Sequence, residues 1–244
     1  MSSTLGPVLT ATPVSRPDDV LAVMRAIDRT LDPRDGISCF NRLYLAVTEN
    51  VLAAASQSQY RNTQFVTTLD VTFANLYFGA LRAFDRGAAD VPHAWAPLFE
   101  ARARPNIAPI QFALAGMNAH INRDLPVALV TTFTALGMPG GDPISHADYE
   151  QVNDLLATTE KQVKDGYLCR LAQSIDPGFH GVDDVVAMWS VRTARNGAWT
   201  NAEALWHLRD IAGLRDKYLD GLDRMTGFAA RGLLLPTVKP LGLG

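Results

Sequence analysis

The sequence predicts an all-α fold, a single-domain bundle of seven or eight helices around one or two buried central helices. Apolar residues recur three or four positions apart in almost every segment, which is the spacing of one helix face. The alternation of apolar and polar residues that is typical of a half-buried strand never extends beyond four residues. No polar linker is long enough to divide the 244 residues into two domains.

The N-terminal segment, residues 1–17, is rich in Ser, Thr and Pro, and we expect it to be a flexible arm. A first helix opens at Pro17, because proline fits the first helical turn and the two acids that follow complement the helix dipole. A turn at residues 32–36 ends it, and a second helix is predicted over residues 37–56.

Two segments in the middle of the chain are apolar almost all round. The first covers residues 65–85, and the second covers residues 107–136 after a short predicted helix at 94–102. A helix that is apolar on every side belongs in the interior of a protein. These two segments are therefore the predicted central helices.

The last third of the chain continues the helical pattern after a loop rich in glycine and proline. Ser145 is placed to cap an amphipathic helix that reaches about residue 174. Two further helices are predicted at 183–210 and 213–235, and they complete the helical domain, residues 18–236. Residues 237–244 form a predicted C-terminal tail.

Composition excludes several classes of function. The 22 basic residues are scattered among 25 acidic ones, so we expect no nucleic-acid partner. We find no signal-peptide pattern and no apolar run of membrane-spanning length, and we expect a cytoplasmic protein with an undetermined oligomeric state. Cys39 and Cys169 each lie within a predicted helix and are expected to be buried thiols.

Four polar side chains interrupt the second central segment, at Asn118, His120, Asn122 and Asp124. A buried polar group without a partner costs about 1–3 kcal/mol, so this cluster marks a candidate site. His120 and Asp124 are four residues apart and share a helix face, so the carboxylate can orient the imidazole for acid–base catalysis, or both can bind a metal. A polar network that only braces a kink at Pro126 is the alternative.

Further candidate residues lie on other helices. Asp70 is an isolated carboxylate in an apolar segment and is predicted to act as a second catalytic carboxylate, unless an arginine such as Arg42 or Arg192 neutralises it. Tyr77 lies on the same face of this predicted helix as Asp70. The seventh predicted helix, residues 183–210, carries Arg192, Arg195 and Trp199, and an arginine there that reaches a pocket would bind an anion. We expect Asn118, Asn122, Tyr77, Arg42, Arg192 and Trp199 to bind substrate.

Residues 39–44 (CFNRLY) and 116–125 (GMNAHINRDL) resemble segments of a bacterial all-helical family whose function is not assigned. This resemblance covers about residues 18–234. It implies a helical fold and no particular activity.

A second resemblance concerns metal binding. His120-x-x-x-Asp124 followed by His146-x-x-x-Glu150 resembles the zinc-ligand segments of helical hydrolases of the phospholipase C and single-strand nuclease type. This likeness implies a zinc site held by those four residues. The chain departs from the pattern because residues 126–130 contain no histidine.

Together these observations predict an enzyme that performs acid–base chemistry of the cyclase, lyase or hydrolase type on a small, largely apolar molecule. The catalytic residues would be His120, Asp124 and Asp70, with no cofactor required. One alternative is a metal-dependent hydrolase that uses zinc. The other is a binding or scaffold protein without turnover.

Overall fold

The computed structural model describes residues 5–9, 13–156, 190–211 and 213–236. Throughout these ranges the chain forms helices joined by turns, and no strand occurs in them. The predicted all-α class is therefore confirmed. The helices are, in chain order, α1 (Pro17–Thr30), α2 (Gly36–Ser56), α3 (Thr63–Asp85), α4 (Ala96–Ala101), α5 (Pro109–Ala119), a π-helical turn (His120–Asp124), α6 (Leu125–Ala135), α7 (143–156 of the described residues), α8 (Val191–Leu208) and α9 (Leu214–Leu233).

Polar side chains begin three of these helices. The Asp35 carboxylate accepts a hydrogen bond from the second residue of α2, and the Asn62 side chain accepts one from Phe65 in α3. Ser190 caps α8 in the same way. Each of these caps satisfies a backbone N–H group that has no partner within its own helix.

The predicted cap at Ser145 is wrong. The helix already includes residue 143, and Ser145 donates its backbone N–H to the Asp142 side chain. Because Pro143 fits the first helical turn, the helix starts two residues earlier than the serine. The Ser145 hydroxyl is buried and has no hydrogen-bond partner in the described part of the chain.

The interior consists of two apolar clusters. One is built mainly from α1, α2, α4 and α5, and the other from α6, α7 and α8. Three elements contribute to both: α2, α3, and the continuous run formed by α5, the π-helical turn and α6. The last two are the segments that the sequence predicts as central helices. The π-helical turn therefore lies where the two clusters meet.

The N-terminal segment is less free than its composition predicts. Leu5 and Leu9 are buried in the first apolar cluster. The backbone N–H and C=O of Val14 both bond to the Asn75 side chain, at 2.9 and 2.8 Å. The described part of the expected flexible arm is therefore packed on the bundle, because its few apolar residues cover the first cluster.

Some sequence predictions lie outside the described residues. They include Cys169, the end of the helix predicted to reach residue 174, and the start of the helix predicted at residue 183. Cys39 is buried in α2, as expected. No helix among the described residues is long and apolar enough to cross a membrane.

Helix α9 approaches the turn before α4 so closely that only glycine fits at position 227. A Cβ atom on Gly227 would lie 2.3 Å from the backbone oxygen of His93. Nothing lies within 4 Å of the corresponding position at Gly221, on the same helix. We predict that Gly227→Ala lowers the free energy of unfolding by about 1–3 kcal/mol through overpacking. Gly221→Ala should instead raise it by about 0.5–1 kcal/mol, because alanine favours helix.

Urea denaturation of the two variants beside the wild type measures both effects. Equal changes in the two variants would contradict the close packing of α9 against His93.

Candidate functional site

The central segment that the sequence predicts as one helix contains a wider turn at its middle. In the π-helical turn the Leu125 N–H bonds to the carbonyl oxygen of His120, five residues back. Pro126 has no N–H to donate to the regular acceptor in the preceding turn, so the proline and the widened turn occur together. Single π-helical turns inside α-helices are frequently found at functional sites.

The Asp124 carboxylate is the most buried charged group of this turn, with 0% of its surface exposed. Oδ2 accepts from Nδ1 of His120 at 3.2 Å and from the Trp95 indole N–H at 2.9 Å. Oδ1 accepts from the Arg123 guanidinium at 2.7 Å. The structure thus brings together the His120 and Asp124 pair that the sequence predicts. Because a carboxylate only accepts, the proton of the imidazole is on Nδ1.

The imidazole of His120 is neutral and held in one orientation. Burial lowers its pKa, and the hydrogen bond to Asp124, which raises it, does not fully offset that effect. Its ring stacks on Phe73 at a centroid distance of 3.4 Å and meets the Tyr44 ring at 4.4 Å. Nε2 then carries a lone pair, and this buried atom has no partner among the residues the structure describes.

A cavity of about 100 Å³ opens beside His120, between α2, α3, the π-helical turn, α7 and α8. Its walls are mostly apolar. Four polar side chains on these walls have a buried atom without a hydrogen-bond partner in the described ranges: Tyr44, Thr48, Asp70 and His120. Leaving each such atom unsatisfied costs about 1–3 kcal/mol. The cavity is large enough for several waters or a small molecule that would satisfy these atoms.

Asp70 is the second carboxyl group of the site, and its charge is not neutralised in the way the sequence suggests. Arg42 pairs with Asp28, and Arg192 pairs with Asp154 at 2.6 Å. Both arginines are placed by their own helices toward the surface, away from Asp70. Burial raises the pKa of Asp70 to about 7. The carboxyl group is therefore close to half protonated at neutral pH.

The predicted substrate-binding amides have structural partners instead. Asn118 donates to the backbone oxygen of Thr226 in α9 at 2.9 Å, and Asn122 donates to Asn118 at 3.0 Å. Neither side chain lines the cavity. This part of the polar cluster braces the π-helical turn against α9, as the alternative interpretation predicted.

Four other predicted binding residues also lie off the cavity wall. Tyr77 is buried behind His120, with ring centroids 6.1 Å apart. The Trp199 indole donates to Glu203 at 3.0 Å, and its ring packs on Phe133. Arg42 and Arg192 are held in the ion pairs described above.

The four residues proposed as metal ligands are not brought together. His146 and Glu150 lie 3.9 Å apart on α7, and the His146 ring packs on Trp199. His120 uses Nδ1 for Asp124. Across the described ranges, no three His, Cys, Asp or Glu side chains converge in a way that could hold a metal ion.

Tyr44, Thr48 and Arg195 also line the cavity; sequence reasoning missed the first two, and in place of the third it favoured Arg192 of the same helix. The first two read as ordinary core positions of α2. Arg195 carries a usable signal, because it falls on the same helix face as the small and apolar positions that α8 buries, Val191, Ala198, Ala202 and Leu205.

The raised pKa of Asp70 has a consequence for stability. A folded-state pKa of about 7 exceeds the unfolded value of 3.8, so ionisation opposes folding: the cost is small at pH 4, grows up to about pH 7, and then stays constant. Asp70→Asn removes this cost. We predict that the free energy of unfolding of the variant, relative to that of the wild type, increases by on the order of 4 kcal/mol from pH 4 to pH 8.

Chemical denaturation at the two pH values measures that gain, with Asp154→Asn, a change at an exposed carboxylate, as the control. A difference between Asp70→Asn and wild type that is the same at pH 4 and pH 8 would contradict the shifted pKa.

Comparison with curated proteins and with solved structures finds no match. One family model does match, over residues 17–236, which is most of the chain. Its description is a family of unknown function, in agreement with the resemblance to a helical family of unassigned function. The chain belongs to this family, DUF5995.

Proposed function

We propose that this protein is an enzyme that transfers a proton within a small, largely apolar molecule bound in the cavity, with His120 as the base. The observation that carries the proposal is the state of His120. Its imidazole is neutral, its Nδ1–H is bound to Asp124, and its Nε2 lone pair is buried on an apolar wall without a partner in the described residues. A general base needs this arrangement.

Asp124 stabilises the positive charge that develops on the His120 imidazole during the reaction. When Nε2 takes a proton the imidazole becomes positive, and the buried carboxylate 3.2 Å from Nδ1 stabilises that charge. Trp95 and Arg123 hold the carboxylate in place before the reaction starts. The site therefore needs little rearrangement to reach the charged state.

Asp70 is suited to the opposite role. Its pKa of about 7 keeps part of the carboxyl population protonated at neutral pH, so it can donate a proton to the molecule that His120 deprotonates. Two titratable groups whose surroundings move their pKa values in opposite directions are typical of an acid and base pair. The hydroxyl groups of Tyr44 and Thr48 would bind polar atoms of the substrate.

The composition of the walls favours lyase or cyclase chemistry. Among the described residues that line the cavity there is no serine and no cysteine. A direct proton transfer needs neither, whereas hydrolysis through a serine or cysteine acyl intermediate needs one of them. The apolar walls also exclude bulk water, which strengthens the electrostatic effect of Asp124.

Binding without turnover is the second candidate. The specific observation in its favour is that Asn118 and Asn122, half of the predicted polar cluster, only brace the turn. A ligand that satisfied Tyr44, Thr48, Asp70 and His120 would stabilise the fold in the same way. Turnover therefore separates the two candidates.

The Kemp elimination of 5-nitrobenzisoxazole tests the base directly, because this small apolar probe reacts by losing a C–H proton to a base as its N–O bond breaks to give a coloured phenolate. We predict saturable acceleration by the wild type. We predict that His120→Ala lowers kcat/KM by about 10²–10⁴-fold, the usual contribution of a general base.

His146→Ala is the matched control, since His146 is half-exposed and does not line the cavity. It should keep the wild-type rate, and thermal unfolding of both variants checks that they are folded. Equal rates in wild type and His120→Ala would contradict the proposal. Saturable binding of the probe by calorimetry without turnover would favour the second candidate.

A further inference from the structure

Arg195 is a buried cation in the cavity wall, and its partners among the described residues are all neutral. Its side chain belongs to α8, and the residue is 6% exposed. Nε donates to the Asn153 side-chain oxygen at 2.6 Å, and Nη2 donates to the backbone oxygen of Tyr149 at 3.1 Å. The guanidinium also lies over the Tyr149 ring, 4.0 Å from its centroid.

No carboxylate in the described part of the chain lies within ion-pair distance of Arg195. Arg192, one turn earlier on the same helix, differs from it: this arginine is half-exposed and pairs with both Asp154 and Glu150. A buried charge without a counter-charge is expensive, and natural proteins almost always pair it. Asp70 lines the same cavity, but no ion pair joins it to Arg195.

Two hydrogen-bond donors remain at this position. The Nη1 group of Arg195 makes no hydrogen bond within the described residues. The Asn153 amide that accepts from Nε also has a buried Nδ2 group without a partner in these ranges. A negatively charged acceptor in the cavity would satisfy the Nη1 group and the charge of the guanidinium, whereas Asn153 is not among the residues that line the cavity.

We propose that the molecule bound in the cavity is a monocarboxylate with an apolar body, and that its carboxylate group pairs with Arg195. This inference rests on the proposed function, since it names the class of its substrate. A guanidinium matches the two oxygens of a carboxylate. One cation in the described walls, with His120 neutral, suits a single negative charge better than the double charge of a phosphate.

In this arrangement the carboxylate of the bound molecule and the base His120 share one cavity. Helix α8 packs against the π-helical turn, so a ligand held by Arg195 lies beside the turn that carries His120. The apolar side chains of α2 and α3 would contact its body. In its protonated form Asp70 does not repel the anion. The binding energy of the carboxylate thus orients the apolar body for proton transfer.

Calorimetric titration with straight-chain carboxylates from butanoate to octanoate, beside the alcohols of equal length, tests the inference on the wild type. The two series share apolar bodies and differ in charge. We expect the best carboxylate to bind at least about tenfold more tightly than its alcohol, the usual range for a hydrogen bond to a charged group.

Arg195→Met should weaken binding of that carboxylate by about tenfold to hundredfold and leave the alcohol within about twofold. Arg192→Met, on the same helix but outside the cavity wall, is the matched control and should bind like wild type. Circular dichroism checks the fold of both variants, and the wild-type comparison does not depend on either.

Alcohols that bind as tightly as carboxylates, or a carboxylate affinity unchanged in a folded Arg195→Met, would overturn the role of Arg195 and leave the proposed function standing. Failure of both series at every chain length, together with absence of His120-dependent elimination, would overturn the proposed function and this inference with it.

Discussion

The rest of the site depends on the hydrogen bonds that the buried carboxylate of Asp124 accepts. This carboxylate is fully removed from solvent and accepts hydrogen bonds from His120, Trp95 and Arg123, which replace the water it loses. A second carboxylate, Asp223 of α9, accepts the backbone N–H groups of the turn before α4 and lies 3.5 Å from the same Arg123. One network of hydrogen bonds and ion pairs therefore joins α9, the entry to α4 and the π-helical turn.

This network explains why a polar segment can lie between two apolar clusters. Apolar packing alone would favour a regular helix through the centre of the bundle, with no donors or acceptors facing inward. The π-helical turn instead presents His120 to a cavity at the junction of the clusters, while Asn118 and Asn122 fasten the same turn to α9. The polar side chains of the turn thus divide into those that brace it and one that faces the cavity.

The fold could be predicted from the sequence because helix spacing, turns and apolar segments are local properties. The pairing of His120 with Asp124 was predictable for the same reason, since residues four apart on a helix are neighbours. The partner of Asn118 was not, because Thr226 lies 108 residues away. The sequence also pointed to an anion-binding arginine on α8 but favoured Arg192. Which arginine faces inward depends on how α8 packs, and the packed face selects Arg195.

The most direct test of this account is the protonation state of His120. In protein with ¹⁵N-labelled histidine, the nitrogen chemical shifts of the imidazole distinguish its tautomers and its charge. We predict a neutral ring at pH 7 with the proton on Nδ1, and no titration as the pH rises to 8, because burial lowers the pKa of His120. A proton on Nε2, or a charged ring at pH 7, would contradict the role of His120 as the base.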